Sequence, residues 1–454
     1  MKEMKIVIIG LGKIGKTILK NLSSENYTLT IIDDNKRLVE DLIEKYDVLG
    51  VVGNGASMDI QNEAGVKESD LVIALTESDE LNILACLVAK KLGAKNTIAR
   101  VRNPDYRKQI TVMKDDLGIA MVVNPEQETA NEIFNLISLP SVNQIEHFAK
   151  GRVSLVEIVA EKGCSLIGET LISIGKKLTT KVLICAVQRG EEVIIPDGNF
   201  KIEEGDRIHF TASAKSLGDF LSEANLVKSP FKNIMIVSGG RIGYYLAYAL
   251  SKKKYSVKLL EDDPAICEAL AELLPRVTVV CGNGTQHDVL VEEGIEAMDA
   301  FVALTNIDEE NIIASMFANK KNVKKSIAQI KSDDLYSMLD ELGINNNVSP
   351  KHVVAGKIIS YIRALANTVG SKVLTLYQLV NNRVEALEFA ATKQENFYNK
   401  PLRELNIKKD CLIACIIRQN QVIIPNGNSE IHLGDNVVVV TTHKNFDDLN
   451  DVIE

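Results

Sequence analysis

Short apolar runs alternate with amphipathic segments over the first 125 residues of the chain. Residues 6–9 form an apolar run of strand length, and residues 13–22 have the apolar spacing of a helix that packs one face on a core. The same alternation predicts strands at residues 29–32, 71–75 and 97–101, and helices at residues 38–46 and 81–92. Because alternating strands and helices are joined by right-handed crossovers, this segment predicts a parallel, doubly wound α/β sheet of the Rossmann type.

A different pattern begins near residue 151. Residues 153–158, 182–187 and 207–210 alternate between apolar and polar side chains, which is typical of strands with one buried face. Pro196-Asp197-Gly198 has the composition of a turn between strands, and residues 166–178 include a short helical segment. This part of the chain therefore predicts a small, strand-rich α+β lobe.

Both patterns occur twice. Ile194-Ile195-Pro196 returns as Ile423-Ile424-Pro425, a step of 229 positions, and the same step carries Gly53-Asn54-Gly55 onto Gly282-Asn283-Gly284. One constant step at separate sites indicates a tandem duplication. The expected domains are two Rossmann-like lobes at residues 1–125 and 230–350, and two small lobes at residues 140–226 and 370–454. An amphipathic helix at residues 353–369 is predicted to connect the last two.

The composition narrows the classes of protein that the chain can belong to. It is globular, with 46% hydrophobic and 25% charged residues, and its net charge of −9 argues against nucleic acid as a partner. The chain begins directly with a predicted strand, and no window approaches the ~20 apolar residues of a membrane-spanning helix. We therefore expect a cytoplasmic protein that reaches a membrane only peripherally.

The seven cysteines and six histidines have no spacing typical of a metal site, so no metal is assigned. Cys411 and Cys415 stand four positions apart in an alternating pattern, which predicts that both face the same side of a strand as reduced core thiols. A group of acidic residues near the Pro196-Asp197-Gly198 turn is interpreted as a solvated rim rather than a cation site. These residues are Asp197, Glu203, Glu204 and Asp206.

The glycine-rich segment Gly10-Leu11-Gly12-Lys13-Ile14-Gly15 lies between the first predicted strand and helix. In the dinucleotide-binding fingerprint the first glycine allows a tight turn, the second lets backbone amides approach a pyrophosphate, and the third lets helix and strand pack closely. Phosphates then lie at the helix N-terminus, where free N–H groups and the dipole favour anions. Asp33 ends the next strand, where a carboxylate accepts hydrogen bonds from a ribose and disfavours a 2′-phosphate, so NAD is favoured over NADP. The alternative is a purely structural glycine turn.

The second half repeats this segment with changes. Ser238-Gly239-Gly240-Arg241-Ile242-Gly243 has serine in place of the first glycine, and Glu261 stands where Asp33 stood. Serine makes the turn less freely than glycine because a positive φ costs it energy, while glutamate can still reach a ribose. A second, weaker nucleotide site and a degenerate structural copy both remain open.

Two further loops follow predicted strands, at the edge where doubly wound sheets bind ligands. Thr76 and Glu77 follow the strand at 71–75, and Thr305 and Asn306 follow its counterpart. Their polar groups could contact a ribose or the adenine edge, or serve only to cap the next helix. Arg100 ends the next strand and could pair with a phosphate. Its counterpart is Gln329, which suggests that the two halves prefer different nucleotides.

Two other classes of function are alternatives to a nucleotide-binding regulator. An NAD-dependent oxidoreductase needs a general acid or base near the nicotinamide and a domain large enough to hold a substrate, and neither half supplies these convincingly. A redox-sensing transcription factor needs a recognition helix and a basic surface, and the sequence predicts neither. Regulation is therefore favoured over catalysis.

In these residues the chain resembles the cytoplasmic NAD-binding subunits of bacterial Trk potassium-uptake systems. Proteins of this family consist of two regulator-of-potassium-conductance (RCK) units in tandem. The resemblance covers essentially the whole chain. The segments that carry it are the glycine loop with Asp33, residues 75–82 (Leu-Thr-Glu-Ser-Asp-Glu-Leu-Asn), 98–102 (Ile-Ala-Arg-Val-Arg) and 123–126 (Val-Asn-Pro-Glu), and the Ile-Pro-x-Gly turns of the small lobes.

The resemblance implies a ring-like homo-oligomer, expected to be a tetramer, on the cytoplasmic face of an integral membrane potassium-transport subunit. NAD, NADH, ATP or ADP bound in the Rossmann-like lobes would bias the pore between closed and open states. The nucleotide contacts it implies are residues 10–14, Asp33, Thr76, Glu77 and Arg100 in the first half, and 238–242, Glu261, Thr305 and Asn306 in the second.

Overall fold

The structure is a computed structural model. It describes residues 4–454 except 26, 114–116, 143, 149–152, 214–215, 227–230, 340–345, 367–372, 380–382, 393–394, 420, 444–445 and 447. The last three residues of the predicted connecting helix lie outside the described residues.

The first large lobe is a six-stranded parallel sheet with helices in its crossovers. Its strand order is β3-β2-β1-β4-β5-β6, the order of a Rossmann sheet, which confirms the predicted fold class. The strands are β1 Met4–Ile9, β2 Tyr27–Asp33, β3 Leu49–Val52, β4 Leu71–Ala74, β5 Asn96–Arg100 and β6 Met121–Val123. The helices are α1 Lys13–Leu22, α2 Lys36–Lys45, α3 Met58–Glu63, α4 Asp79–Leu92, α5 Pro104–Val112 and α6 Pro125–Ser138.

The second large lobe repeats this sheet with the order β14-β13-β12-β15-β16-β17, which confirms the tandem duplication. Its strands are β12 Asn233–Val237, β13 Ser256–Glu261, β14 Val277–Cys281, β15 Ala300–Ala303, β16 Lys325–Gln329 and β17 Asn347–Val348. Its helices are α9 Arg241–Ser251, α10 Pro264–Leu273, α11 His287–Glu292, α12 Asp308–Lys320, α13 Asp333–Met338 and α14 Pro350–Ala366.

Each small lobe is a five-stranded sheet whose ladders are antiparallel. The first has the order β10-β9-β11-β8-β7 and the second the order β18-β19-β22-β20-β21. The first lobe contains β7 Gln144–Phe148, β8 Val153–Val159, α7 Leu171–Lys177, β9 Leu183–Arg189, β10 Glu192–Ile194, β11 Arg207–Ser213 and α8 Leu217–Glu223. The second contains β18 Val373–Leu379, β19 Val384–Ala390, β20 Cys411–Arg418, β21 Gln421–Ile423 and β22 Asn436–Thr441.

The lobes are grouped in pairs rather than in chain order. One compact unit consists of Met1–Ile137 and Phe231–Ile362, which are the two large lobes, and the other of Ser138–Pro230 and Arg363–Glu454. Inside the first unit, helix α6 of the first half packs on the second large lobe: Ala130, Ile133 and Ile137 share a core with strand residues such as Ile234. The buried Glu128 of α6 also pairs with Lys357 of α14 at 2.5 Å.

The two small lobes of the second unit also share a core. Val153, Leu155 and Cys185 from the first small lobe pack with Ala386 and Cys415 from the second. The Thr211 hydroxyl donates to the Ala414 carbonyl oxygen across this core at 3.0 Å. The duplication therefore builds joint apolar cores within each unit.

Two predictions about the small lobes were wrong. Strand β20 has a register shift between Ile413 and Cys415, so Cys411 packs in the core of its own lobe while Cys415 packs in the shared core. The two thiols therefore face different cores. Asp206 does not belong to a solvated rim: it is buried, with both carboxylate oxygens 2.8 Å from the Arg189 guanidinium.

Candidate functional site

The first glycine loop has the tight geometry that the fingerprint requires. Gly10 has φ +88°, and a Cβ there would lie 2.7 Å from the Thr76 nitrogen, so no side chain fits between the two loops. A Cβ on Gly15 would lie 2.2 Å from the Gly10 carbonyl oxygen, because α1 packs directly against the end of β1. The first and third glycines thus bring the start of α1 to the carboxyl edge of the sheet.

The helices that follow the two glycine loops begin without a side-chain cap. Gly12 precedes α1 and Gly240 precedes α9, and neither provides a side chain to accept from the first amides. By contrast, Asn35 caps α2 and Ser78 caps α4 through their side-chain oxygens. Uncapped N–H groups at a helix N-terminus, together with the helix dipole, favour a bound anion such as a phosphate.

Asp33 lies beside the first loop at the end of β2. Its Oδ2 accepts a hydrogen bond from the Leu11 nitrogen at 2.7 Å, and its Oδ1 accepts one from the Asn35 nitrogen at 3.0 Å. A carboxylate has about four acceptor positions, so acceptor capacity remains for two hydroxyl donors of a ribose. Asp34 lies on the same cavity wall and adds a second negative charge that opposes a 2′-phosphate.

Both glycine loops open onto one cavity of about 1370 Å³ within the unit of the two large lobes. Nearly all predicted first-half residues line it, joined by residues of the second half that the sequence did not place beside them. From the first half these are Gly10, Leu11, Gly12, Lys13, Ile14, Asp33, Thr76, Glu77 and Arg100, and from the second half Ser238, Gly240, Arg241, Ile242 and Asn306. Four predicted residues do not line it: Gly15, Gly239, Glu261 and Thr305.

The cavity wall carries an excess of positive charge although the whole chain is acidic. Seven lysines and arginines line it against four carboxylates. Lys13 and Arg241 are the first residues of α1 and α9, and the charged end of neither side chain forms an ion pair or a hydrogen bond with the residues that the structure describes. Lys331 Nζ donates a hydrogen bond to Asn306 Oδ1 at 2.8 Å. Burial lowers the pKa of this lysine. Such a wall suits the phosphates of a nucleotide.

Four side chains on the wall have buried polar atoms without a partner among the described residues: those of Arg100, Glu126, Gln329 and Ser349. Arg100 donates through Nη1 to the Thr76 carbonyl oxygen at 3.1 Å, while its Nε has no acceptor. Burial is the main cause that lowers the pKa of this guanidinium, followed by the charge of Arg102. Gln329, its counterpart in the second half, is only 3% exposed and its Oε1 has no donor. All four residues line the cavity, and a buried polar atom without a partner is uncommon in a folded protein.

Sequence reasoning did not assign a role to Asn82, which fixes the loops around the site. Its Oδ1 accepts from the Thr76 nitrogen and hydroxyl at 2.8 and 2.7 Å, and its Nδ2 donates to the carbonyl oxygens of Thr76 and Arg100. Asn311 makes the corresponding bonds to Thr305 and Gln329. Both asparagines are fully buried. Their recurrence at the 229 step was the signal in the sequence.

The second glycine loop departs from the first in the way its acid is used. The Glu261 carboxylate turns inward: Oε2 accepts from the Gly239 nitrogen at 2.6 Å, and Oε1 accepts from the Asp262 and Asp263 nitrogens at 3.1 Å each. Glu261 is 7% exposed. Ser238 keeps the left-handed turn, with φ +81°, and its Oγ accepts from the Gly240 nitrogen at 3.4 Å. The second loop therefore satisfies its own polar groups more fully than the first.

The hydroxyl groups of the two threonines are also engaged within the protein. Thr76 donates to Asn82 as described above, and Thr305 Oγ1 donates to the Ile307 carbonyl oxygen at 3.1 Å. Ser78 caps α4 by accepting from the Leu81 nitrogen at 3.1 Å. The loop after β4 thus combines a helix cap with a position on the cavity wall.

The site offers little for catalysis or metal binding. Among the described residues, none of the side chains that line the cavity is a histidine, tyrosine or cysteine. His209 lies in the first small lobe, 2% exposed, and burial lowers its pKa. No group of three metal-binding side chains occurs in the described part of the chain. In the same residues, no helix combines the length and hydrophobicity needed to cross a membrane.

Comparisons with solved structures agree with this fold. The GsuK channel bound to NAD aligns with a TM-score of 0.63 at 18% identity, covering 98% of this chain and 77% of that one. The GsuK RCK domain aligns with a TM-score of 0.61 at 18% identity, covering 98% and 93% of the two chains. At this identity the likeness shows a shared tandem RCK fold.

Comparisons of sequence are more specific. A Trk system potassium uptake protein TrkA homolog 1 from Methanosarcina mazei is 32% identical over 96% of this chain and 97% of its own length. The Trk system potassium uptake protein TrkA from Vibrio alginolyticus is 31% identical over 98% of this chain and 97% of its own length. The protein of the same name from Haemophilus influenzae is 30% identical over 97% of this chain and 96% of its own length. None of these names describes an enzyme, in agreement with the predicted regulatory class.

The family models repeat in the order that the duplication predicts. The TrkA-N domain model matches residues 6–125 and 234–350, and the TrkA-C domain model matches residues 155–225 and 387–453. Together the matches cover most of the chain. The chain belongs to the TrkA family of Trk potassium uptake proteins, with two TrkA-N and TrkA-C pairs in tandem.

Proposed function

We propose that this chain is the cytoplasmic regulatory subunit of a Trk-type potassium transporter and that it binds NAD, NADH or an adenine nucleotide in the cavity between its two large lobes. The observation that carries this proposal is the meeting of both glycine loops at one cation-lined cavity. The uncapped start of α1 would hold the phosphates, and Asp33 would accept from the ribose. Arg241, Lys331 and Lys351 bring positive charge to the same phosphates from the second lobe.

A ligand held by both lobes can regulate because its affinity depends on how the lobes are arranged. The ligand stabilises the arrangement in which Asp33 and the cations of the second lobe contact it together. The free energy of this stabilisation equals the difference between the ligand's binding free energies for this arrangement and for one in which the lobes do not both contact it. A homo-oligomeric ring on the cytoplasmic face of the membrane would transmit that difference to an integral membrane potassium-conducting subunit. The domain bounds that we propose for the four lobes are 1–125, 140–226, 230–350 and 370–454.

The proposal is tested by calorimetric titration of the purified chain with NADH, NAD, ATP and ADP, with each nucleotide assayed for consumption. Binding without turnover, followed by a nucleotide-dependent change in potassium flux when the membrane subunit is reconstituted with the chain, is the expected result. Oxidation of NADH that depends on an added metabolite would replace the regulator with an oxidoreductase. Absence of binding by all four nucleotides would remove the proposed site.

Asp33 provides the sharpest variant for this test. Asp33→Ala removes the ribose acceptor and the Leu11 contact, so NADH affinity is expected to fall at least about tenfold, or about 1.4 kcal/mol. Asp41→Ala removes the same charge from an exposed position on α2 and should leave affinity unchanged. Equal affinities for the wild-type chain and a folded Asp33→Ala variant would place the nucleotide elsewhere.

A further inference from the structure

Two segments that each carry a cysteine meet at the edge of the second large lobe. Cys267 is on α10 and is 8% exposed, while Cys281 is the last residue of the edge strand β14 and is exposed. The Glu261 carbonyl oxygen connects them: it lies 3.2 Å from Cys267 Sγ and accepts from the Gly282 nitrogen at 2.8 Å. Since Gly282 follows Cys281 directly, one oxygen atom anchors both cysteine segments.

The register of the sheet places the two cysteine segments next to each other. Glu261 and Cys281 are direct partners in the parallel ladder between β13 and β14, and α10 packs against β14. Each of the other five cysteines is buried. The exposed Cys281 beside the buried Cys267 therefore has the arrangement of an attacking thiol with a resolving partner.

The first large lobe gives an internal comparison because its backbone is the same at this point. The Gly53 nitrogen donates to the Asp33 carbonyl oxygen at 2.9 Å, and Asp33 pairs with Val52, as Glu261 pairs with Cys281. The residues at the two thiol positions there are Val39, which is buried, and Val52, which is 40% exposed. The same packing works with two valines, so the fold does not require sulfur at these positions.

We propose that Cys267 and Cys281 form a reversible disulfide that constrains the second glycine loop. The loop is affected because the Glu261 carboxylate holds the Gly239 nitrogen and the two amides that precede α10. Linking α10 to β14 fixes both segments that contact the Glu261 backbone. The proposal does not depend on nucleotide binding.

The reaction is thiol–disulfide exchange with a low-molecular-weight disulfide. The Cys281 thiolate attacks one sulfur of the reagent, and one thiolate leaves. The Cys267 thiolate then attacks the Cys281 sulfur and releases the second thiolate. The two cysteines lose two protons and two electrons, which reduce the reagent to two thiols. Burial, followed by the neighbouring Cys281 thiol, raises the pKa of Cys267 to about 11, so the second step is expected to accelerate with rising pH.

The test treats the full-length chain with oxidised glutathione and maps disulfides by mass spectrometry without reduction. The expected product is a peptide pair joined through Cys267 and Cys281, with loss of two of the seven free thiols and full reversal by dithiothreitol. Cys267→Ser should stop at a mixed disulfide on Cys281, and Cys281→Ser should not react. Cys415→Ser, at a buried thiol in the small lobes, should form the Cys267–Cys281 linkage as the wild type does.

Three results would overturn the proposal in protein shown to be folded by circular dichroism. They are retention of all seven thiols, a persistent mixed disulfide on wild-type Cys281, and linkage through another cysteine pair. Amide hydrogen exchange over residues 238–282 should be slower in the linked form than in the reduced form. Equal exchange in the two forms would overturn the constraint on the second glycine loop.

Discussion

The first residue of the glycine loop is Gly10 in the first half and Ser238 in the second, and both adopt the same left-handed turn. Their φ angles are +88° and +81°. Glycine has no steric cost in this region, whereas a residue with a Cβ is strained there by roughly 1–2 kcal/mol. Ser238 recovers part of this cost through the hydrogen bond that its Oγ accepts from Gly240, at the long distance of 3.4 Å.

We expect Ser238→Gly to raise the free energy of unfolding by about 1 kcal/mol, because it relieves the strained φ. The reciprocal change Gly10→Ser should destabilise the chain by more, since its Cβ would lie 2.7 Å from the Thr76 nitrogen. Gly12→Ala is the matched control, because a Cβ at Gly12 meets nothing within 4 Å. Chemical denaturation measures all three, and a destabilised Ser238→Gly variant would show that the serine hydrogen bond outweighs the strain.

At the scale of elements, each site loop is held by a buried polar side chain from the following helix. Asn82 on α4 joins the loop after β4 to the end of β5, and Asn311 on α12 does the same in the second half. A buried amide that makes several hydrogen bonds fixes loop geometry because each lost partner leaves a desolvated polar group.

Asn82→Ala is expected to lower the free energy of unfolding by about 3 kcal/mol, because the Thr76 amide and the Arg100 carbonyl group lose the Asn82 bond and the Thr76 carbonyl group keeps only its bond from Arg100. Nucleotide affinity should fall as well, since Thr76 and Arg100 line the cavity. Asn62→Ala, at an exposed position on α3, should change stability by less than about 0.5 kcal/mol. Similar stability of the two variants would contradict the positioning role of Asn82.

Helix α6 carries a glutamate whose ionisation opposes folding. Glu132 is half-buried, and desolvation raises its pKa to about 7 from an ordinary value of 4.5. The folded state therefore binds this proton more tightly than the unfolded state. The stability from this group is complete below about pH 4.5 and is lost as the pH rises through about 7.

We expect Glu132→Gln to remove this decline, so that the variant gains stability relative to the wild type as the pH rises from about 5 to about 8. Denaturation curves of both proteins across this pH range give the difference in their free energies of unfolding. The other titrating groups are the same in both proteins, so their contributions cancel in this difference. Glu63→Gln, at an exposed position on α3, is the control and should follow the wild type. A constant difference between wild type and Glu132→Gln would contradict the raised pKa.

At the scale of the whole molecule, neither half of the duplication buries its apolar surface alone. Ile133 and Ile137 of the first half pack into the core of the second large lobe, and Leu155 and Ala186 pack into the core shared by the small lobes. Exposed apolar surfaces of this kind are unfavourable in a soluble monomer.

Residues 1–229 expressed alone are therefore expected to self-associate, with a second copy covering the faces that residues 230–454 cover in the full chain. Because the halves share a fold, a symmetric dimer can bury the same faces. Light scattering coupled to size exclusion should show twice the mass of the half-chain or a multiple of it. A folded, monomeric half-chain would contradict the need for the shared cores.

Much of this architecture could be predicted from local patterns, because period-two and helical spacing depend on near neighbours in the chain. The longer strands and the helices α1, α2 and α4 were predicted close to their observed bounds. The short edge strands β3 and β6 were missed, since three or four residues carry little periodicity. The register shift in β20 places Cys415 in a different core from Cys411, because one extra residue in a strand moves every later side chain to the opposite face of the sheet.

The sequence by itself determined the duplication, the Rossmann-like sheets and the first glycine loop with Asp33, because spacing and residue type suffice for each. Only the tertiary structure decided that the two glycine loops share one cavity, that Glu261 turns inward to its own loop, and that the Glu261 carbonyl oxygen joins the segments of Cys267 and Cys281. These are contacts between segments distant in the chain or side-chain orientations set by packing. Their energies depend on three-dimensional shape, which no local pattern records.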